Sequence, residues 1–192
     1  NLKRWKIFLD SPMAVKVVAV VNKHEALFDE EAQKVWQGKI QPFNLPNLHF
    51  TPEVSQSQEI NNIKRGAIII AGSGMCTGGR IRHHLRNHLG SGKHHIIFVG
   101  YQAKGTLGRR LVDGVSTVRI FNEEFSVNAQ RHTVGGLSAH ADQAGLMDWY
   151  SHLENRPPVV LVHGEDDARV IMKDAMEKKF DCDVSIARPD VE

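Results

Sequence analysis

Hydrophobic positions in this chain fall into short continuous runs, each closed by glycine, serine or proline. The clearest is residues 67–71, Ala-Ile-Ile-Ile-Ala, an apolar and mostly β-branched run that reads as a strand buried on both faces, as in a parallel α/β sheet. Small residues follow (Gly72, Ser73, Gly74, Thr77, Gly78, Gly79), and Ile81, Leu85 and Leu89 then recur at helical spacing. Residues 95–99 repeat the unit, turning through residues 100–106 into a helix that carries Arg109 and Arg110. Two such units in succession predict both loops at the carboxyl edge of one parallel sheet. A third apolar run, residues 158–162, predicts a buried strand ending at His163-Gly164-Glu165.

The rest of the pattern fills in around these runs. Residues 6–9 predict a short strand, and Asp10-Ser11-Pro12 a helix start with Ser11 as cap and Pro12 at the first helical position. An apolar helix follows over residues 13–21, then an amphipathic helix with an acidic outer face over 24–37, closed by Gly38. Pro42, Pro46 and Pro52 impose a loop with at most a short strand at 48–50, before a short helix over 55–63. Residues 116–121 alternate as a strand with Val118 and Ile120 on one face, and residues 125–133 read as another. Asp142 caps a helix over 143–153.

Composition narrows the class. A chain of 192 residues with 41% hydrophobic content can bury a real core as one domain or a domain with an appendage. Cys76 and Cys182 are far apart, which speaks against a disulfide framework and for a reducing, cytoplasmic location. No apolar run approaches the ~20 residues that span a bilayer, so no membrane partner is expected. The chain begins at Asn1 without methionine and enters a strand at once, as a piece of a larger protein would.

Charge distribution changes the picture more than the net charge of +2 does. From Ile60 to Val112 there is no aspartate or glutamate, while Lys64, Arg65, Arg80, Arg82, Arg86, Lys93, Lys104, Arg109 and Arg110 lie within it. A basic block can merely solvate a face; here it coincides with glycine-rich loops whose backbone N–H groups suit a phosphate, although a tight turn also explains such a loop. Asp10, at a strand end before Ser-Pro, fits turn chemistry better than catalysis. His84 and His88 have a helical metal spacing but no obvious third ligand, so they are expected to face solvent or phosphate. His140 and His163, in successive loops at strand and helix ends, are better placed for a site.

Five motifs then stand in one order: Asp10-Ser11-Pro12-Met13-Ala14; Ser73-Gly74-Met75 running to Gly78-Gly79-Arg80; Gly100-Tyr101-Gln102-Ala103 with Gly105-Thr106-Leu107-Gly108-Arg109; Ser138-Ala139-His140-Ala141-Asp142; and Val162-His163-Gly164-Glu165. This order resembles the metallo-β-lactamase-fold ribonucleases of the β-CASP type, in particular the bacterial RNA-processing members related to the eukaryotic pre-mRNA 3′-end nuclease. The resemblance implies an α/β fold: a parallel-sheet β-CASP domain flanked by helices over residues 1–123, then over 124–192 a β-α-β-α-β segment completing a metallo-β-lactamase domain. It implies that His140 assists protonation of the leaving oxygen, that His163 is a ligand to one of two zinc ions, and that Ser73, Gly74, Met75, Arg80, Gly105, Thr106 and Arg109 hold RNA. The family's His-x-His-x-Asp-His motif is absent from this sequence. Zinc needs at least three protein ligands, so the expectation is a fragment that holds no stoichiometric zinc and is inactive alone, with a missing amino-terminal metallo-β-lactamase half as its partner in the parent. Apolar strand surface left uncovered would leave this second segment poorly ordered, packed on the β-CASP domain, or shielded by self-association as a homo-oligomer. A catalytically silent RNA-binding module and a mononucleotide-binding α/β domain are the alternative readings; the latter lacks the Gly-x-Gly-x-x-Gly fingerprint with a following acidic residue.

Overall fold

The computed structural model describes residues 4–39, 41–137 and 140–187. It is mixed α/β, with small, mainly parallel sheets flanked by helices, and divides into two compact units, residues 1–138 and 139–192. Among the described residues no helix is long and apolar enough to cross a membrane.

In the first unit, β1 (Lys6–Leu9) lies between β2 (Leu48–Phe50) and β3 (Ala67–Ile70), all parallel, with Ile7 paired to Leu48 on one side and Ile68 on the other. Helix α1 (Pro12–Lys23) starts where the sequence predicts: the Ser11 hydroxyl accepts from Ala14 N, and Pro12 sits in the first turn, where its missing N–H costs nothing. The predicted helix over 24–37 is instead a 3₁₀ turn, Glu25–Leu27, and a separate α2 (Glu30–Trp36). Phe28 is extended between them, and the Asp29 carboxylate, accepting from Ala32 N at 2.8 Å, starts the helix afresh. Helix α3 (Val54–Glu59) continues into a 3₁₀ turn, Ile60–Asn62.

Beyond β3 come α4 (Ile81–His88), β4 (His95–Phe98), α5 (Leu107–Val112), β5 (Thr117–Ile120), β6 (Glu123–Ser126) and β7 (Gln130–Thr133). The single strand predicted over 125–133 is thus two. Val127 N turns back to Ser116 O, while Asn128 N and Ala129 N both donate to Leu89 O, which switches the chain from hairpin partner β5 to parallel partner β4. The β5–β6 hairpin turns at Phe121 and Asn122, both left-handed with φ of 51° and 64°, the type I′ pattern that matches strand twist. Leu89, Leu111 and Ile120, fully buried, centre a core completed by Leu85, Phe98, Val118 and Cys76.

Two sequence expectations are corrected. β3 and β4 belong to different sheets, because β4 pairs with β7 rather than joining β1 and β3. The apolar runs are also not buried on both faces: Ile70 is 50% exposed and Ile97 60%. A β-branched run specifies a strand, but its burial depends on neighbours the run cannot encode.

The second unit contains α6 (Gln143–Ser151), β8 (Val159–Leu161), α7 (Asp166–Phe180) and β9 (Val184–Ile186), with β8 and β9 parallel. Its separate core is Met147, Tyr150, Met176, Phe180 and Val184; the Tyr150 hydroxyl donates to Pro157 O at 2.7 Å, so its polar tip is satisfied. The run predicted as a buried strand at 158–162 leaves Val160 and Val162 exposed.

Candidate nucleic-acid interface

Asp10 follows β1 directly and is fully buried, so its charge must be met inside the protein. Both carboxylate oxygens are doubly used. Oδ1 accepts from Thr51 Oγ1 at 2.7 Å and Arg80 Nη1 at 2.8 Å; Oδ2 accepts from Ser57 Oγ at 2.7 Å and His84 Nε2 at 2.6 Å. Burial raises the carboxyl pKa, but the bonds from Ser57, His84, Thr51 and Arg80 outweigh it and hold the group below its ordinary value. Asp10 therefore has a structural role, as the sequence favoured, but as a hub for four distant side chains rather than as a turn residue. His84, expected to face solvent or phosphate, is turned inward to it and buried.

Arg80 was also expected to hold RNA, and the hub engages it as well. Its Nη1 additionally donates to Thr51 O and its Nη2 to Pro52 O at 2.8 Å, so most of the guanidinium fork is directed at protein acceptors. The result is a brace between helix α4's start and the ends of β1 and β2. Gly79, one residue before, has φ +68°, and a Cβ there would meet Gly72 O at 2.5 Å; only glycine allows the two ends of this loop to touch.

The two predicted phosphate loops meet although their strands lie in different sheets. Gly108 N donates to Met75 O at 3.0 Å, and the buried Gln102 amide donates to Gly74 O at 3.0 Å. Gly74 and Met75 thus contribute their carbonyls to this junction. Gly105 takes a left-handed φ of 81° ahead of Thr106, whose hydroxyl caps α5 by accepting from Arg109 N and donates to Ala103 O at 2.7 Å. Arg109 Nε pairs with Asp113 at 2.8 Å on the surface. Ser73 lies 3.4 Å from Thr77, hydroxyl to hydroxyl.

Ser73 and Arg80 open onto a groove of about 620 Å³ that Asp10, Ser11, Arg82, His83 and Phe121 also line. Arg82, His83 and Phe121 line this groove although the sequence reading did not single them out. Arg82 stood only as one cation in the basic block and Phe121 only as a strand end, and nothing local in the sequence signals that the hairpin brings them together.

His140 and His163 both lie in the second unit. His140 is exposed, two residues before Asp142, which caps α6 by accepting from Gly145 N at 2.8 Å; Ser138 and Ala139 of the same motif lie outside the described residues. His163 follows β8 and lines an apolar groove of about 770 Å³ with Trp149, Leu161 and Met172. Among the described residues no group of three or more histidine, cysteine, aspartate or glutamate side chains is placed to share a metal ion. Zinc takes at least three protein ligands, so the described residues do not by themselves make up a zinc site.

Family models match this chain over both stretches. The Beta-Casp domain covers residues 1–111, and the Zn-dependent metallo-hydrolase RNA specificity domain covers residues 124–187. Ribonuclease TTHA0252 of Thermus thermophilus is 41% identical over 168 residues, 87% of this chain and 38% of the relative. The transcription termination factor FttA of Thermococcus kodakarensis is 33% identical over 181 residues (91% of this chain, 28% of the relative), and that of Pyrococcus abyssi 33% over 154 residues (77% and 24%). The chain therefore spans well under half the length of these relatives, and it belongs to the β-CASP family of RNA-processing nucleases.

Proposed function

We propose that this chain is the RNA-holding portion and part of the active site of a zinc-dependent ribonuclease that hydrolyses phosphodiester bonds. The observation that carries this reading is the junction of the two glycine loops within an acid-free block: Gly74 and Met75 bonded to Gln102 and Gly108, with Ser73 and Arg109 on flanking segments. Ordered loops within a stretch of sequence rich in cations and free of acids suit a phosphate backbone. Gly105 and Thr106 shape the second loop, and Arg80 acts on RNA through its brace, by fixing where Ser73 and Gly74 stand. Residues 1–123 form the β-CASP domain, and residues 124–192 complete a metallo-β-lactamase domain whose other donors lie elsewhere in the parent.

In this reading His140 delivers a proton to the leaving oxygen and His163 contributes one zinc ligand; bound zinc would supply a hydroxide near neutral pH. The name of the Thermus relative supports the ribonuclease assignment, and its 38% coverage supports a longer parent. The chain alone would hold no stoichiometric zinc and cut no RNA, and it works in the reducing cytoplasm with its two cysteines as thiols.

The test compares the longer parent with the 192-residue chain on a labelled single-stranded RNA. The parent should cleave, and His140→Ala or His163→Ala in it should lower the rate by at least the ~100-fold typical of a lost proton donor. The isolated chain should bind RNA with an affinity that falls steeply with salt. Two zinc ions per isolated chain would overturn the fragment reading, and a parent that binds but never cleaves would favour the silent RNA-binding module.

A further inference from the structure

The groove bounded by Ser11, Ser73, Arg82, His83 and Phe121 offers donors and an aromatic wall but no free acceptor charge. Its carboxylate, Asp10, is 0% exposed and fully occupied by Thr51, Arg80, Ser57 and His84. Arg80 is committed to Asp10 and two carbonyls. Arg82 differs: among the described residues it makes no ion pair, and its guanidinium lies 4.3 Å from the centre of the Phe121 ring. That contact holds the cation in place while leaving its N–H groups to a ligand.

The hydroxyls point to the same chemistry. Ser11 Oγ accepts from Ala14 N, which leaves its proton to donate. Ser73 and Thr77, 3.4 Å apart, share at most one proton between them, which leaves the other. An arginine with hydroxyl donors around it suits a phosphate. Phe121 adds a surface for a base. It is 37% exposed, sits with φ 51° at a hairpin position where glycine or asparagine is the easy choice, and meets the His83 ring at 4.7 Å. A volume of about 620 Å³ accommodates a small-molecule-sized ligand, on the scale of a nucleotide rather than a duplex.

We propose that this groove is a nucleotide subsite of the RNA-binding surface, taking one phosphate on Arg82 with the Ser11 and Ser73 hydroxyls, and one base against Phe121 and His83. The inference rests on the RNA-binding reading above and adds to it a place where a base, not only the backbone, is held. Stacking on an aromatic ring tolerates any base, so the subsite adds affinity rather than sequence preference.

Fluorescence anisotropy of the 192-residue chain with a labelled twelve-nucleotide oligo(A), an abasic ribose-phosphate oligomer of equal length, and AMP as competitor tests it. Arg82→Ala should weaken oligo(A) and abasic oligomer alike and reduce the slope of log K against log salt by about 0.7, the value of one phosphate on a single strand. Phe121→Ala should weaken oligo(A) by about 5- to 150-fold, the range for one lost base stack, and weaken the abasic oligomer by clearly less, through the lost seat of Arg82 alone. Phe121→Leu, which keeps bulk in the turn, should show the same split if the ring itself is what matters. Displacement of oligo(A) by AMP in the wild type but not in Phe121→Ala would support the subsite with a free nucleotide as an occupant. If the wild type binds oligo(A) and the Arg82 and Phe121 variants match it in affinity and salt slope, the subsite is wrong and the RNA-binding reading survives. If the wild type binds neither oligomer, both fall.

Discussion

Replacing Asp10 by asparagine keeps the side chain's shape but removes its charge and gives two of its four donors an N–H group instead of an acceptor. Arg80 would then be a largely buried cation without its carboxylate, so Asp10→Asn should cost about 3 kcal/mol at neutral pH, read by urea denaturation. The pH dependence has a definite sign. The folded carboxyl titrates below the ordinary value of 3.8, so its stabilisation is complete above that value and is lost as pH falls through the lower folded one. The gap between wild type and variant should therefore close as pH falls below 3.8; a constant gap would refute the charge argument. His88 behaves differently: burial, then His94 and His84, push its pKa below 6.5, so the unfolded chain takes the proton first and stability declines as pH drops below 6.5. His88→Asn should flatten that decline, measured as the urea midpoint on either side of the window. The sequence showed Asp10 as a turn residue because Ser11 and Pro12 adjoin it. It could not show donors 41, 47, 70 and 74 residues away, since no local pattern records which distant polar groups a fold converges.

Elements were legible where their signals are local. Ser11 with Pro12 and Asp142 each start a helix as read, because a cap is decided within three residues. Thr106 shows the same rule applied to a residue the family resemblance had assigned to RNA. Its hydroxyl accepts from Arg109 N and donates to Ala103 O, so Thr106→Ala should lose about 1 kcal/mol of stability while Thr106→Ser retains it. An equal loss in both variants, followed by thermal melting, would mean that the methyl group and not the cap is at work. Strand pairing was less legible: the run at 95–99 matches a parallel strand, but its choice of β7 over the β3 sheet rests on the bonds from residues 128 and 129 to Leu89 O.

At the scale of the whole molecule, the basic block was plain in the sequence because charge adds along the chain, whereas the two hydrophobic cores were not, since both draw on similar apolar runs. One core centres on Leu89, Leu111 and Ile120 and the other on Tyr150, Met176 and Phe180, with no residue in common. Cooperativity follows shared burial, so each core should govern the protection of its own amides. Leu111→Ala removes side-chain atoms from a fully buried site and should cost about 2–5 kcal/mol; Phe180→Ala should cost about 3–5 kcal/mol. Hydrogen exchange followed by mass spectrometry separates the two effects. Leu111→Ala should speed exchange in Thr117–Ile120 and leave the middle of Asp166–Phe180 protected, while Phe180→Ala should do the reverse. If either substitution instead accelerates exchange equally in both stretches, the two cores unfold as one cooperative unit, and the division of the chain describes packing without describing stability.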